Sequence, residues 1–180
     1  VGKGRVFVMG TEHIPAVRPW LFEAAAGRPI SLGVIGADIL VLNRSDYGPF
    51  RTRKIPFLFF STGENPVYHS PDDVPDTVDY DSLTEISRVI HQVVVRLASE
   101  PSLPAWNDQT DQPIEEAVTI RDALHLLKDH RDAFELNAAQ GFLIANALRL
   151  VDGIVERGRV TPSERSAMIQ AARLIFVTIF

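Results

Sequence analysis

A chain of 180 residues, 46% hydrophobic and 23% charged, is long enough to bury a real core as one domain, or as one domain plus a smaller part. It has no cysteine, which excludes disulfides, thiolate nucleophiles and every cysteine-ligated metal site, so any metal must be held by histidine and carboxylate. A formal net charge of -5 without a long basic run gives no electrostatic footprint for nucleic acid.

The first element, "RVFVMG" from Arg5 to Gly10, is short, apolar and β-branched and stops on a glycine, which predicts a buried strand. "PAVRPWLFEAAAG" follows with good helix formers and a glycine stop at Gly27; Pro19 inside it makes Pro15 to Arg18 a turn and moves the helix later. "ISLGVIG" predicts a second strand, and "SDYGPFRTRK" a loop with a short helix. "IPFLFFS" is a third strand, apolar on consecutive rather than alternate residues, so both of its faces need cover, as in a sheet held between helices.

From Asp81 the spacing of Leu83, Ile86, Ile90, Val93, Val94 and Leu97 has a period of about 3.6 residues, and Ser82 with Glu85 stands at capping-box spacing. Turn formers without periodicity make "SEPSLPAWNDQTDQP" a linker. Only helices follow. Ile114, Ala117, Val118, Leu124 and Leu127 mark one, and Leu143, Ala147, Leu150, Val151 and Ile154 another. A third opens with Thr161 as its cap, Pro162 at the first helical position and Glu164 completing the box. The closing run "LIFVTIF" reads as a core helix, far short of the ~20 residues of a membrane span.

The reading is therefore an α/β portion over residues 1–101, a linker over 102–112 and an all-α appendage over 113–180 that docks on the α/β portion or on a second subunit. No signal peptide is visible, and because the first residues already read as a strand, the chain is expected to be a segment of a longer protein.

Chemistry concentrates in "NPVYHSPDDVPDTVDY", which leaves the third strand and presents Tyr68, His69 and several aspartates between prolines. A histidine just beyond a strand's carboxyl end lies where open α/β sheets bind ligands. Pro66 and Pro71 restrict the backbone on both sides of the pair. Asp72, Asp73 and Asp76 can orient an imidazole through its second nitrogen, or serve simply as turn formers. His69 also reads as an ordinary surface histidine of a polar loop, and Tyr68 as a packing aromatic. Glu12 and His13, just past the first strand, read as turn residues rather than ligands, and His91, His125 and His130 as helix-surface residues.

The order Ser45-Asp46, Pro49-Phe50, Ile55-Pro56, Thr62-Gly63, Tyr68-His69, Pro71, Asp73, Asp76 resembles the C-terminal half of the co-catalytic zinc aminopeptidases, the family of aminopeptidase Y, glutamate carboxypeptidase II and the transferrin receptor ectodomain. The resemblance spans about residues 1–100 and implies a helix-sandwiched mixed sheet of the zinc aminopeptidase type. It implies that His69 ligates one of two zinc ions, that Tyr68 donates to the oxyanion of the tetrahedral intermediate, and that Asp46 and Asp73 support the site through hydrogen bonds. It also implies peptide substrates cleaved at the N-terminus and an exported location. The remaining ligands and the general base would lie upstream of residue 1, leaving this segment inactive alone. Tyr47, Ser70 and Val74 replace a histidine and two threonines of the pattern. Two other readings keep the fold: a non-catalytic receptor-like domain, and a single-zinc enzyme like glutaminyl cyclase, against which Tyr68 argues because a tryptophan usually stands there.

Overall fold

The computed structural model describes residues 4–36, 45–63, 67–109 and 112–179. A three-stranded mixed sheet organises them, in the order β2-β1-β3. The central strand β1 (Arg5–Met9) pairs in parallel with β2 (Ser31–Val34), Arg5 opposite Ser31 and Val8 opposite Val34. It pairs antiparallel with β3 (Phe59–Ser61), Phe7 opposite Ser61 and Met9 opposite Phe59. Gly10 ends β1 at φ 100, where an added Cβ would lie 2.2 Å from the Phe57 carbonyl oxygen; only glycine lets these backbones approach so closely.

Between β1 and β2 the chain makes a 3-10 turn at Pro15–Val17 and then helix α1 (Arg18–Ala25), with Pro19 in its first turn, where no amide hydrogen is required. Helix α2 (Gly48–Thr52) is short, as its polarity predicts. Helix α3 (Tyr80–Ser99) starts earlier than its apolar period. Asp79 is the cap, accepting from the Ser82 amide at 3.1 Å, and the expected Ser82–Glu85 box does not form. Ser82 instead donates to Asp79 and accepts from the Gly4 amide at 2.9 Å, while Glu85 is drawn to the guanidinium groups of Arg28 and Arg88. Two cations outcompete one backbone amide for that carboxylate. In β3 three residues keep strand pairing, fewer than "IPFLFFS" predicts, and among the described residues β1 is its one partner.

Both faces of the sheet are apolar, and each has its own cover. Val8, Leu32, Leu58 and Phe60 turn to one side and pack with Val17 and Leu21 from the α1 region and Val89 and Val93 of α3. Phe7, Met9, Ile35, Phe57 and Phe59 turn to the other. There they join α4 (Ile114–Asp129), α5 (Ala138–Arg157) and α6 (Pro162–Ile179) through Ala117, Ile120, Ile144, Val151 and Met168. The consecutive apolar residues Phe57 to Phe60 thus feed two cores alternately, as the period of two in a strand dictates. Helix α5 is long and apolar enough to cross a membrane by length and composition, but Ile144, Ala147, Leu148, Val151 and Ile154 are buried within this core. Its start is an Asn137–Gln140 capping box, and α6 begins with the expected Thr161–Glu164 box.

The segment before α4 is fastened to the sheet region. Trp106 stacks on His13 with ring centroids 3.9 Å apart, and Asn107 donates to the His13 carbonyl at 2.8 Å. Lys54 pairs with Asp108 at 2.7 Å. At the carboxyl ends of β1 and β2 two acids are buried. Glu12 accepts from the Gly10 amide at 2.9 Å, and Glu116 of α4 accepts from the Gly36 amide at 2.6 Å. Arg165 of α6 grips Glu116 through Nε at 2.6 Å and Nη2 at 3.0 Å. Burial pushes the Glu116 carboxyl above its ordinary value, against the pull of Arg165 and the Gly36 amide.

This clasp ties β2, α4 and α6 together in a dry setting, and removing one partner leaves an uncompensated buried charge. Glu116→Ala is expected to cost about 3–5 kcal/mol in urea unfolding, and Glu116→Gln less. Unfolding midpoints for Glu116→Ala equal to the parent's would show that the pair is not what joins these elements.

Candidate functional site

The loop that carries Tyr68 and His69 leaves the carboxyl end of β3. Because β3 runs antiparallel to β1, this end lies beside the start of β1, at the sheet edge from which β1 and β2 both set out, and the Gly4–Ser82 hydrogen bond closes that corner. The Glu12 and Glu116 carboxylates sit at the other edge of the sheet, so Glu12 and His13 take structural parts in turn and stack.

The loop is a chain of tight turns that satisfies itself. Ser70 donates to the Val67 carbonyl through its amide at 3.0 Å and its hydroxyl at 2.7 Å, and the same hydroxyl accepts from the Asp72 amide at 3.2 Å. Asp73 donates its amide to the Ser70 carbonyl, and Thr77 turns back onto the Val74 carbonyl through both amide and hydroxyl. The 3-10 turn Pro75–Thr77 then delivers Asp79 to cap α3.

These turns hold His69 at φ 60, in the left-handed region that non-glycine residues adopt only under constraint. Its ring lies 3.8 Å from the Tyr68 ring, centroid to centroid, with the planes inclined at 39°. Tyr68 is 65% exposed and His69 is also exposed. Sequence reasoning offers the nearby carboxylates as a brace for the imidazole. Among the described residues no carboxylate hydrogen-bonds to it, and the Asp72 and Asp73 amides enter the turns.

Asp46 is exposed at the start of α2. Its neighbour Tyr47 is buried, stacked on Phe57 at 4.9 Å and tilted against Phe59 at 5.2 Å. The aromatic ring at position 47 is thus part of the core beneath β3. Pro66 lies outside the described residues. Among the described residues no group of three or more His, Asp or Glu side chains comes together to hold a metal ion. His69, exposed, is one donor and does not make a zinc site by itself.

The family model for peptidase family M28 matches residues 2–94, from the strand pairing of β1 through the Tyr68–His69 loop and into α3. The chain belongs to peptidase family M28. No curated protein and no solved structure matches it. M28 membership makes this a chain of a peptide-hydrolase family that is generally zinc-dependent and acts on peptides. The M28 match ends at residue 94, so α4, α5 and α6 fall outside it.

The buried Glu116–Arg165 clasp is what sequence reasoning misses. The one signal for it is a glutamate set against Ala117 and Ile120 on the apolar side of α4.

The strain at His69 has a measurable sign. Glycine adopts φ 60 freely, so His69→Gly is expected to unfold at equal or higher urea, by up to about 1 kcal/mol, whereas His69→Ala retains the strain and gains nothing. A clear loss of stability in His69→Gly would show that contacts of the imidazole hold the loop.

Proposed function

We propose that the chain is the C-terminal part of a zinc-dependent aminopeptidase, an exopeptidase that removes residues from the N-termini of peptides. Residues 1–101 complete a sheet of the zinc aminopeptidase type, and residues 113–180 form a helical part docked on it. The observation that carries this reading is the Tyr68–His69 pair, held ring against ring on a self-bonded turn within the span of the family match. A neutral imidazole is a zinc ligand, and His69 is one ligand of a site built for two zinc ions. The other ligands and the general base come from polypeptide other than the described residues. Tyr68, Val74, Val78, Tyr80 and Leu83, in the loop and at the start of α3, are exposed apolar side chains that such a segment can cover.

In this reading the phenol of Tyr68 meets the oxygen on which negative charge develops as the scissile carbonyl becomes tetrahedral. It is fixed relative to its neighbour, so its hydroxyl needs little reorganisation to donate there. Asp46 and Asp73 support the site from the α2 start and from the turn after His69.

A second reading, a receptor-like domain of the same fold without catalysis, is favoured by Tyr47, whose ring is packed on Phe57 and Phe59 where the resembled pattern carries a histidine. Two measurements test the first reading. The 180-residue chain alone is expected to bind zinc weakly and to release no N-terminal residue from peptides. In a polypeptide carrying the full ligand set, His69→Ala should lose one zinc, while Tyr68→Phe keeps its metal and lowers kcat by about 10²–10³ with KM little changed. Equal zinc loss in both variants, or stoichiometric tight zinc on the isolated chain, overturns the assignment.

A further inference from the structure

Helix α4 crosses β2 in the opposite direction, Glu116 meeting Gly36 and Thr119 lying on Gly33. A Cβ at Gly33 would fall 2.6 Å from Thr119 Cγ2, so glycine is what lets Thr119 seat on the strand. Alongside that contact, at the outer edge of β2, a cleft of about 130 Å³ remains open. Phe7 from β1, Phe22 from α1 and Val118 from α4 give it apolar walls; Arg5, Glu115 and Asp122 bring charges of both signs to it.

Those charges do not neutralise one another. Among the described residues Arg5 makes no ion pair or side-chain hydrogen bond, and neither does the carboxylate of Glu115. Asp122 accepts from its neighbour Arg121 at 3.0 and 3.2 Å, not from Arg5. A cation site would not place a guanidinium in its wall, and an anion site would not place two carboxylates there. A ligand bearing one charge of each sign beside an apolar body suits a cleft whose wall holds both signs.

We propose that this cleft binds a free amino acid with an apolar side chain. Arg5 takes the α-carboxylate in its planar fork, Asp122, at the same end of the cleft, takes the α-ammonium through the oxygen that Arg121 leaves open, and Phe7, Phe22 and Val118 cover the side chain. The cleft is smaller than the 300 Å³ or so at which pockets for drug-sized ligands begin, which fits one residue rather than a peptide. It shares no residue with the Tyr68–His69 loop, and the proposal stands whether or not that loop takes part in catalysis.

The test is a titration of the 180-residue chain with L-leucine, followed by amide chemical shifts, against two half-ligands: isoamylamine, which lacks the carboxylate, and 4-methylpentanoate, which lacks the amine. L-leucine is expected to saturate with a Kd of about 1 mM or tighter, shifting Gly33, Val118 and Asp122, and both half-ligands to bind at least about tenfold more weakly. Arg5→Met, at a partly exposed position, and Asp122→Asn, at an exposed one, should each weaken L-leucine by about tenfold while the rest of the spectrum stays unchanged. Absence of saturation, equal binding of the three compounds, or undiminished binding by Arg5→Met overturns the proposal.

Discussion

A sheet that is apolar on both faces cannot stand with one face in water, and the rest of the structure answers that constraint. With three strands among the described residues, the sheet offers a small surface on each face. Helices α1 and α3 close one side, and α4, α5 and α6 close the other. The family match ends within α3, yet the side chains of β1 and β3 that face away from α3 are buried by residues far beyond it. What composition marks as an appendage is, in packing, the second layer of the α/β unit.

Polar groups enter this second layer where the helix meets the strand ends. Hydrophobic contact alone would let α4 slide along the sheet; Glu116 fixes its position by accepting from the Gly36 amide and binding Arg165. Thr119 seats on the strand at Gly33. Apolar area supplies the attraction, while a few directional bonds determine the register.

Element type and order were legible because periodicity, proline and glycine act locally. The strands and helices fall where "RVFVMG", "ISLGVIG", Pro19, Pro162 and the spacing of Leu143, Ala147 and Val151 put them. The misses are tertiary. Glu85 abandons its capping position because Arg28 and Arg88 come near it only in the folded chain, and Asp79 takes over the cap. Likewise a lone Glu116 gains its meaning from Arg165, 49 positions away. At the candidate site, the neighbouring order Tyr68-His69 was legible and the left-handed backbone beneath it was not, since φ 60 at a histidine is set by the turns around Ser70.

The reversal of β3 has one further consequence. It sends the loop bearing Tyr68 and His69 to one rim of the sheet, while the Glu116–Arg165 clasp occupies the opposite rim. Substitutions in the two places touch no common neighbour, and their free-energy effects should sum rather than interfere. Natural variation could therefore remodel the Tyr68–His69 rim freely, with the scaffold's cohesion inherited unaltered from the far side.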